Sequence, residues 1–130
     1  MSDINKKHER PLSPHLQVYK LPITAIMSIT NRIFGVCLVY GIVMVLWLLI
    51  ATVAGEESYN FFMSFCTSII GQIMLFGWSF ALFYHMSNGI RHLIWDTGKM
   101  FEKGIAEKSG YIVIIVASLM TAATWYCALN

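Results

Sequence analysis

The stretch that decides the fold is "IFGVCLVYGIVMVLWLLIATVAG", residues 33–55, which holds no Asp, Glu, Lys or Arg. A helix that crosses a bilayer needs about 20 consecutive, mainly apolar residues. Two more uncharged runs follow, over residues 58–90 and 109–130. The 130-residue chain is 57% hydrophobic and 12% charged, and a soluble domain normally carries about twice that charged share. This reads as one integral membrane domain, an all-α bundle of three transmembrane helices at about 23–53, 61–95 and 111–129. Strands are excluded, because a lone chain with so few spans cannot close a barrel and lipid tolerates no open sheet edge.

The link "AGEESYN", residues 54–60, is short, so the first two spans are antiparallel neighbours. The second link, "DTGKMFEKGIAEKSG", residues 96–110, carries Gly98, Gly104 and Gly110 and reads as an exposed connector. All 9 basic residues fall on one side of this plan. Lys6, Lys7, Arg10, Lys20 and Arg32 precede or open the first span, and Arg91, Lys99, Lys103 and Lys108 close the second or sit in the second link. The positive-inside rule then places the N-terminal arm, residues 1–22, and the second link in the cytoplasm, and the C-terminus outside. Pro11 and Pro14 make the arm extended, and Pro22 suits the first turn of span one. The net charge of +2 carries no argument for nucleic acid as a partner. The partner it implies is membrane lipid.

No secretory signal is visible, and no Arg- and Ser-rich transit peptide, so the start reads as mature protein and favours a bacterial inner membrane over a mitochondrial one. Cys37, Cys66 and Cys127 all lie in apolar blocks, where an odd number makes no disulfide framework. They read as packing residues.

Chemistry concentrates in "YHMSNGIRHLIWD", residues 84–96. His85 and His92 are two helical turns apart, so they share a face and are separated by about 10 Å along the axis. His92 falls at the cytoplasmic interface beside Arg91 and Asp96, while His85 falls at membrane depth, where ionisable groups are rare and usually functional. A neutral imidazole there can bond a neighbouring helix, relay protons or ligate a metal such as haem iron. Gly89, one turn from His85, opens room for something flat to approach. If His85 serves a six-coordinate haem, the second axial ligand comes from another chain, because two histidines on one helix face cannot sandwich an iron.

A second polar cluster opens span one in "PITAIMSITNRIFG", residues 22–35. Thr24, Ser28 and Arg32 recur every four residues and share a face. Arg32 is expected at the level of His92 and Asp96. Ser28 and Arg32 can donate hydrogen bonds to a carbonyl head group. The plainer alternative is an arginine that snorkels to the interface and a serine bonded back to its own helix.

The stretches "RPLSPHLQVYKLPITAIMSITNRIFG", residues 10–35, and "YHMSNGIRHLIWDTG", residues 84–98, resemble the cytochrome b556 subunits of succinate dehydrogenase, the larger membrane anchors of respiratory complex II. The order and spacing of the spans match as well. The resemblance implies a second hydrophobic anchor subunit that completes the bundle and shares one haem b with this chain. It implies that His85 is the axial ligand to the haem iron and that Ser28 and Arg32 bind ubiquinone, with Asp96 near that site. Arg32 and His92 are then available to neutralise haem propionates. Electrons arrive from an iron–sulfur subunit and a flavoprotein subunit, since this chain has neither a dinucleotide fingerprint nor cysteine clusters and is not catalytic alone. The sequence departs from the family pattern H-R-x-[ST]-G in "NRIFG", residues 31–35, where Asn31 replaces a histidine and Phe34 a small hydroxyl residue.

A purely structural anchor without haem or quinone chemistry is the rival reading, and the absorption spectrum of the purified complex separates the two. The topology has its own test. Cysteines introduced at Lys103 and at Asn130 should react with an impermeant thiol reagent from opposite faces of the membrane, and labelling of both from one face contradicts three spans.

Overall fold

A computed structural model describes residues 20–100 and 102–130. The N-terminal arm up to residue 19, with Lys6, Lys7, Arg10, His8 and His15, lies outside the described residues. Four helices follow in order: α1 Ile23–Ala54, α2 Glu56–Thr67, α3 Ile69–Asp96 and α4 Lys103–Leu129. Of these, α1, α3 and α4 are long and apolar enough to cross a membrane. The chain is an all-α membrane bundle.

Pro22 stands just ahead of α1, at its N-cap, where its carbonyl accepts from the Ala25 and Ile26 amides at 3.0 and 3.2 Å. From there α1 runs 32 residues without a break. At 1.5 Å per residue that is about 48 Å, longer than the roughly 30 Å hydrocarbon layer, so it crosses tilted or projects beyond it. The chain reverses at Gly55, whose φ of 111° only glycine adopts readily.

The second span differs from its expected extent over 61–95. Residues 56–67 form the separate helix α2, and the long helix begins only at Ile69. Ser68 makes the break with ψ 157°. Its hydroxyl accepts from the Gly71 amide at 3.1 Å and so caps α3. The reason lies in amphipathicity. Glu56, Asn60, Ser64 and Thr67 recur along one side of α2, while Phe61, Phe62 and Phe65 pack around Trp47 of α1 with ring centroids 6.1, 5.0 and 5.2 Å away. One uncharged run thus holds an interfacial helix followed by a spanning one.

The third helix also begins earlier than the expected 111, at Lys103, so most of the supposed connector is helical and the turn shrinks to a few residues around Gly98 and Met100. Packing overrides the glycines. Gly110 sits against Met27 of α1, and Arg91 of α3 holds the first turns of α4. Arg91 is 4% exposed. It donates to the Ser109 hydroxyl at 2.8 Å, the Ala106 carbonyl at 2.9 Å and the Asn88 side-chain oxygen at 3.2 Å. Its guanidinium also lies 4.0 Å from the Trp95 ring centre.

α3 is the central helix. It packs α1 antiparallel on one side, where Thr30 meets Tyr84, Phe34 meets Phe80, and Trp78 fills the space a side chain at Gly41 would need. It packs α4 on the other side down to its far half, where the Trp125 indole donates to the Ser79 hydroxyl at 3.0 Å. The core is small: Met27, Tyr84, Val113 and Ala117, flanked by Ile23, Phe34, Phe80 and Phe83. Large apolar side chains such as Ile33, Val36, Val39, Ile42 and Val43 of α1 remain exposed. In a bilayer this surface meets lipid or another helix rather than water.

Arg91→Ala removes the bonds that hold α4 to α3. Two of its bonds cross to α4, and interhelical bonds in bilayers average about 0.6 kcal/mol, so their loss costs about 1 kcal/mol. The expected outcome is a lowered thermal unfolding midpoint in detergent, and an unchanged midpoint would show that Arg91 does not hold the two helices.

Candidate functional site

The inner face of α3 carries the buried side chains Tyr84, Asn88 and Arg91. His85 and His92 each follow one of these residues in sequence, so each points about 100° away from that stripe. Gly89 and Asp96 fall on the same outward strip. His85 is half-buried, while His92 and Asp96 are exposed.

α1 supplies the wall beside His85. The His85 Nδ1–H donates to the main-chain oxygen of Asn31 at 3.2 Å. A carbonyl oxygen cannot donate, so this bond puts the proton on Nδ1 and leaves the Nε2 lone pair free. A metal-ligating imidazole is commonly held in this way, its other ring nitrogen donating to a carbonyl that fixes the tautomer and the ring's orientation. Next to it, a Cβ at Gly89 would meet nothing within 4 Å, so the helix surface one turn from the ring is uncovered. Among the described residues no three His, Cys, Asp or Glu side chains converge to hold a free metal ion. A single imidazole suits a metal whose other ligands belong to a macrocycle.

Ser28 is half-buried and Arg32 exposed, one turn apart on α1. Ser28 makes no side-chain hydrogen bond among the described residues, nor does Arg32 have an ion-pair partner among them. The antiparallel register decides what they can reach. Asn31 and Gly35 both touch His85, so Arg32 stands level with His85. Ser28 is one turn nearer the N-terminal end, close to the level of Gly89. Asp96 lies eleven residues beyond His85, about 16 Å along the axis. The expected grouping of Arg32 with His92 and Asp96 at one level therefore does not form within this chain. Side chains lean toward the N-terminus of their helix, so Arg32 leans toward the turn of Ser28 on the same face of α1. His92 instead packs edge-on against Trp95, ring centroids 5.1 Å apart, and Trp95 is the ring that Arg91 covers.

Sequence reading missed two members of this neighbourhood. Arg91 looked like an interfacial charge and is a buried strut. Asn88, 0% exposed, accepts from Arg91 through its Oδ1 while its Nδ2 has no partner among the described residues. The three- to four-residue spacing of Tyr84, Asn88 and Arg91 is the signal that could have shown one inward polar stripe.

Residues 6–124 match the family described as the succinate dehydrogenase/fumarate reductase transmembrane subunit. The chain belongs to that family. It is 41% identical over 129 residues to the succinate dehydrogenase cytochrome b556 subunit of Paracoccus denitrificans, covering 97% of this chain and 98% of the relative. It is 37% identical over 118 residues to the cytochrome b556 subunit of Rickettsia felis, covering 91% and 92%. It is 35% identical over 127 residues to the cytochrome b560 subunit of Reclinomonas americana, covering 94% and 88%. With its apolar helices and alphaproteobacterial relatives, the chain is a multi-pass protein of the bacterial inner membrane. As a transmembrane subunit of this family it works within a larger complex.

Proposed function

We propose that this chain and a second anchor subunit hold one haem b between them, and that the pair fixes an iron–sulfur subunit and a flavoprotein subunit to the cytoplasmic face and helps form the site where ubiquinone is reduced. The observation that supports this best is the His85 imidazole, held through Nδ1 by the Asn31 carbonyl with Nε2 left free beside the uncovered surface at Gly89. When bound, haem b supplies a one-electron carrier within the bilayer.

This chain's residues then have distinct roles. His85 would hold the haem iron through its Nε2, and the partner subunit would supply the second nitrogen, because the only other described histidine, His92, lies on the same helix face. Arg32, a fixed cation, and the His92 imidazole, a hydrogen-bond donor, suit the propionates. The half-buried Ser28 hydroxyl and the Arg32 guanidinium, leaning toward it, donate hydrogen bonds to a quinone carbonyl. A fixed cation favours the growth of negative charge on that oxygen, which is where acceleration of the reduction arises. Asp96 sits too far along α3 to orient Arg32 directly, and its place is the rim of the site, where it can pass protons from the cytoplasm. The N-terminus lies in the cytoplasm with the basic second turn.

His85→Ala in the assembled complex should abolish or alter the low-spin b-type spectrum. His92→Ala should leave axial ligation intact while shifting the haem potential. A high-spin haem in His92→Ala alone, with His85→Ala unchanged, would reverse the assignment.

The quinone role has a separate test. A hydrogen bond to a charged group contributes roughly 1.5–3 kcal/mol, so losing one in the transition state slows the step on the order of tenfold to a hundredfold. Ser28→Ala and Arg32→Leu should each lower succinate–quinone reductase activity by that factor, while succinate oxidation by an artificial acceptor that takes electrons upstream continues. Normal quinone reduction in both variants removes these residues from the site.

A further inference from the structure

The imidazole of His85 is confined on two of its edges by one turn of α1. Its Nδ1 is tied to the Asn31 carbonyl at 3.2 Å. Its Cε1 faces Gly35, where an added Cβ would lie 3.2 Å from Cε1 and 3.6 Å from Nδ1. Two carbons at optimal separation are about 3.5–4.0 Å apart, so a side chain at 35 pushes the ring. The ring has no free retreat, because the Nδ1 bond is already at the long end of the roughly 2.7–3.2 Å range for such bonds. It must turn about its bond to Cβ or lose the Asn31 oxygen. Asn31 and Gly35 are four residues apart in the same helix, so the carbonyl that accepts from His85 also accepts the helical amide of Gly35. The hydrogen bond and the missing side chain belong to a single rigid unit.

We propose that Gly35 is a positioning residue for the axial ligand, and that the Asn31–Gly35 turn of α1 sets the plane of the His85 ring. This rests on the reading of His85 as haem ligand and names what orients it. Gly35 touches neither iron nor quinone. It acts through the imidazole, whose plane and Nδ1 hydrogen bond govern how strongly and in which direction Nε2 donates.

The test is made on the assembled complex in detergent, comparing wild type, Gly35→Ala, His85→Ala and Gly77→Ala. A Cβ at Gly77 meets nothing within 4 Å, so this variant should match wild type. Gly35→Ala should shift the low-spin g-values in the EPR spectrum and the haem midpoint potential, with haem still present. Low-spin signals that survive His85→Ala unchanged would sink the ligand assignment itself. Signals that depend on His85, with Gly35→Ala identical to wild type in g-values and potential, would overturn the positioning role alone. Should Gly35→Ala block assembly, the double variant Gly35→Ala/His85→Ala decides. The added methyl then has no ring to meet, so recovered assembly supports the seat and continued failure overturns it.

Discussion

The junctions that α3 makes with α1 and with α4 are each bridged by polar side chains that find their partners inside the protein. Thr30 and Tyr84 share a hydrogen bond of 2.7 Å across α1 and α3. His85 reaches the Asn31 carbonyl on the same boundary. Arg91 spans to Ser109 and Ala106, and Trp125 spans to Ser79, across α3 and α4. Lipid tails are as apolar as leucine, so burying leucine between helices gains little over leaving it in the bilayer. A polar group left in hydrocarbon without a partner is costly. The bonds therefore decide which helix faces meet, and the apolar side chains fill the space they enclose.

The consequence is a lopsided bundle. The inward stripe of Tyr84, Asn88 and Arg91 ties α3 to its own neighbours, and the outward strip of His85, Gly89, His92 and Asp96 is left to something else. α1 contributes Ser28 and Arg32 beside that strip. A membrane protein that keeps an exposed arginine beside a half-buried histidine and serine suits a site completed by another subunit, as expected of a family whose members serve as transmembrane subunits.

The two departures from the family pattern become intelligible in this light. Phe34 fills an aromatic cluster, with Phe80 at 5.8 Å and Tyr84 at 4.9 Å between ring centroids, and the hydroxyl that bonds Tyr84 in this chain is that of Thr30, one turn away. Asn31 meets His85 through its main-chain oxygen, which any residue provides. Replacing a histidine there leaves the seat of the ring intact and changes only what the side chain offers. The Asn31 Oδ1 is itself buried without a partner among the described residues.

The membrane class, the helical architecture and the number of spans were legible in the sequence, because they follow from composition and uncharged length, and helical spacing singled out His85, Ser28 and Arg32 as candidates. These are properties of a single helix in lipid. What the tertiary structure decided are relations between helices. Residues 56–67 separate from the span that follows because Phe61, Phe62 and Phe65 find Trp47, and hydropathy along one segment carries no record of that contact. The connector around Gly104 and Gly110 becomes helix because Arg91 and Met27 hold it, against the local preference of glycine. Arg32 stands level with His85 and not with Asp96 because the antiparallel register pairs Asn31 and Gly35 with His85. A register is set by side-chain contacts between segments some fifty residues apart, and no periodicity within either segment determines it.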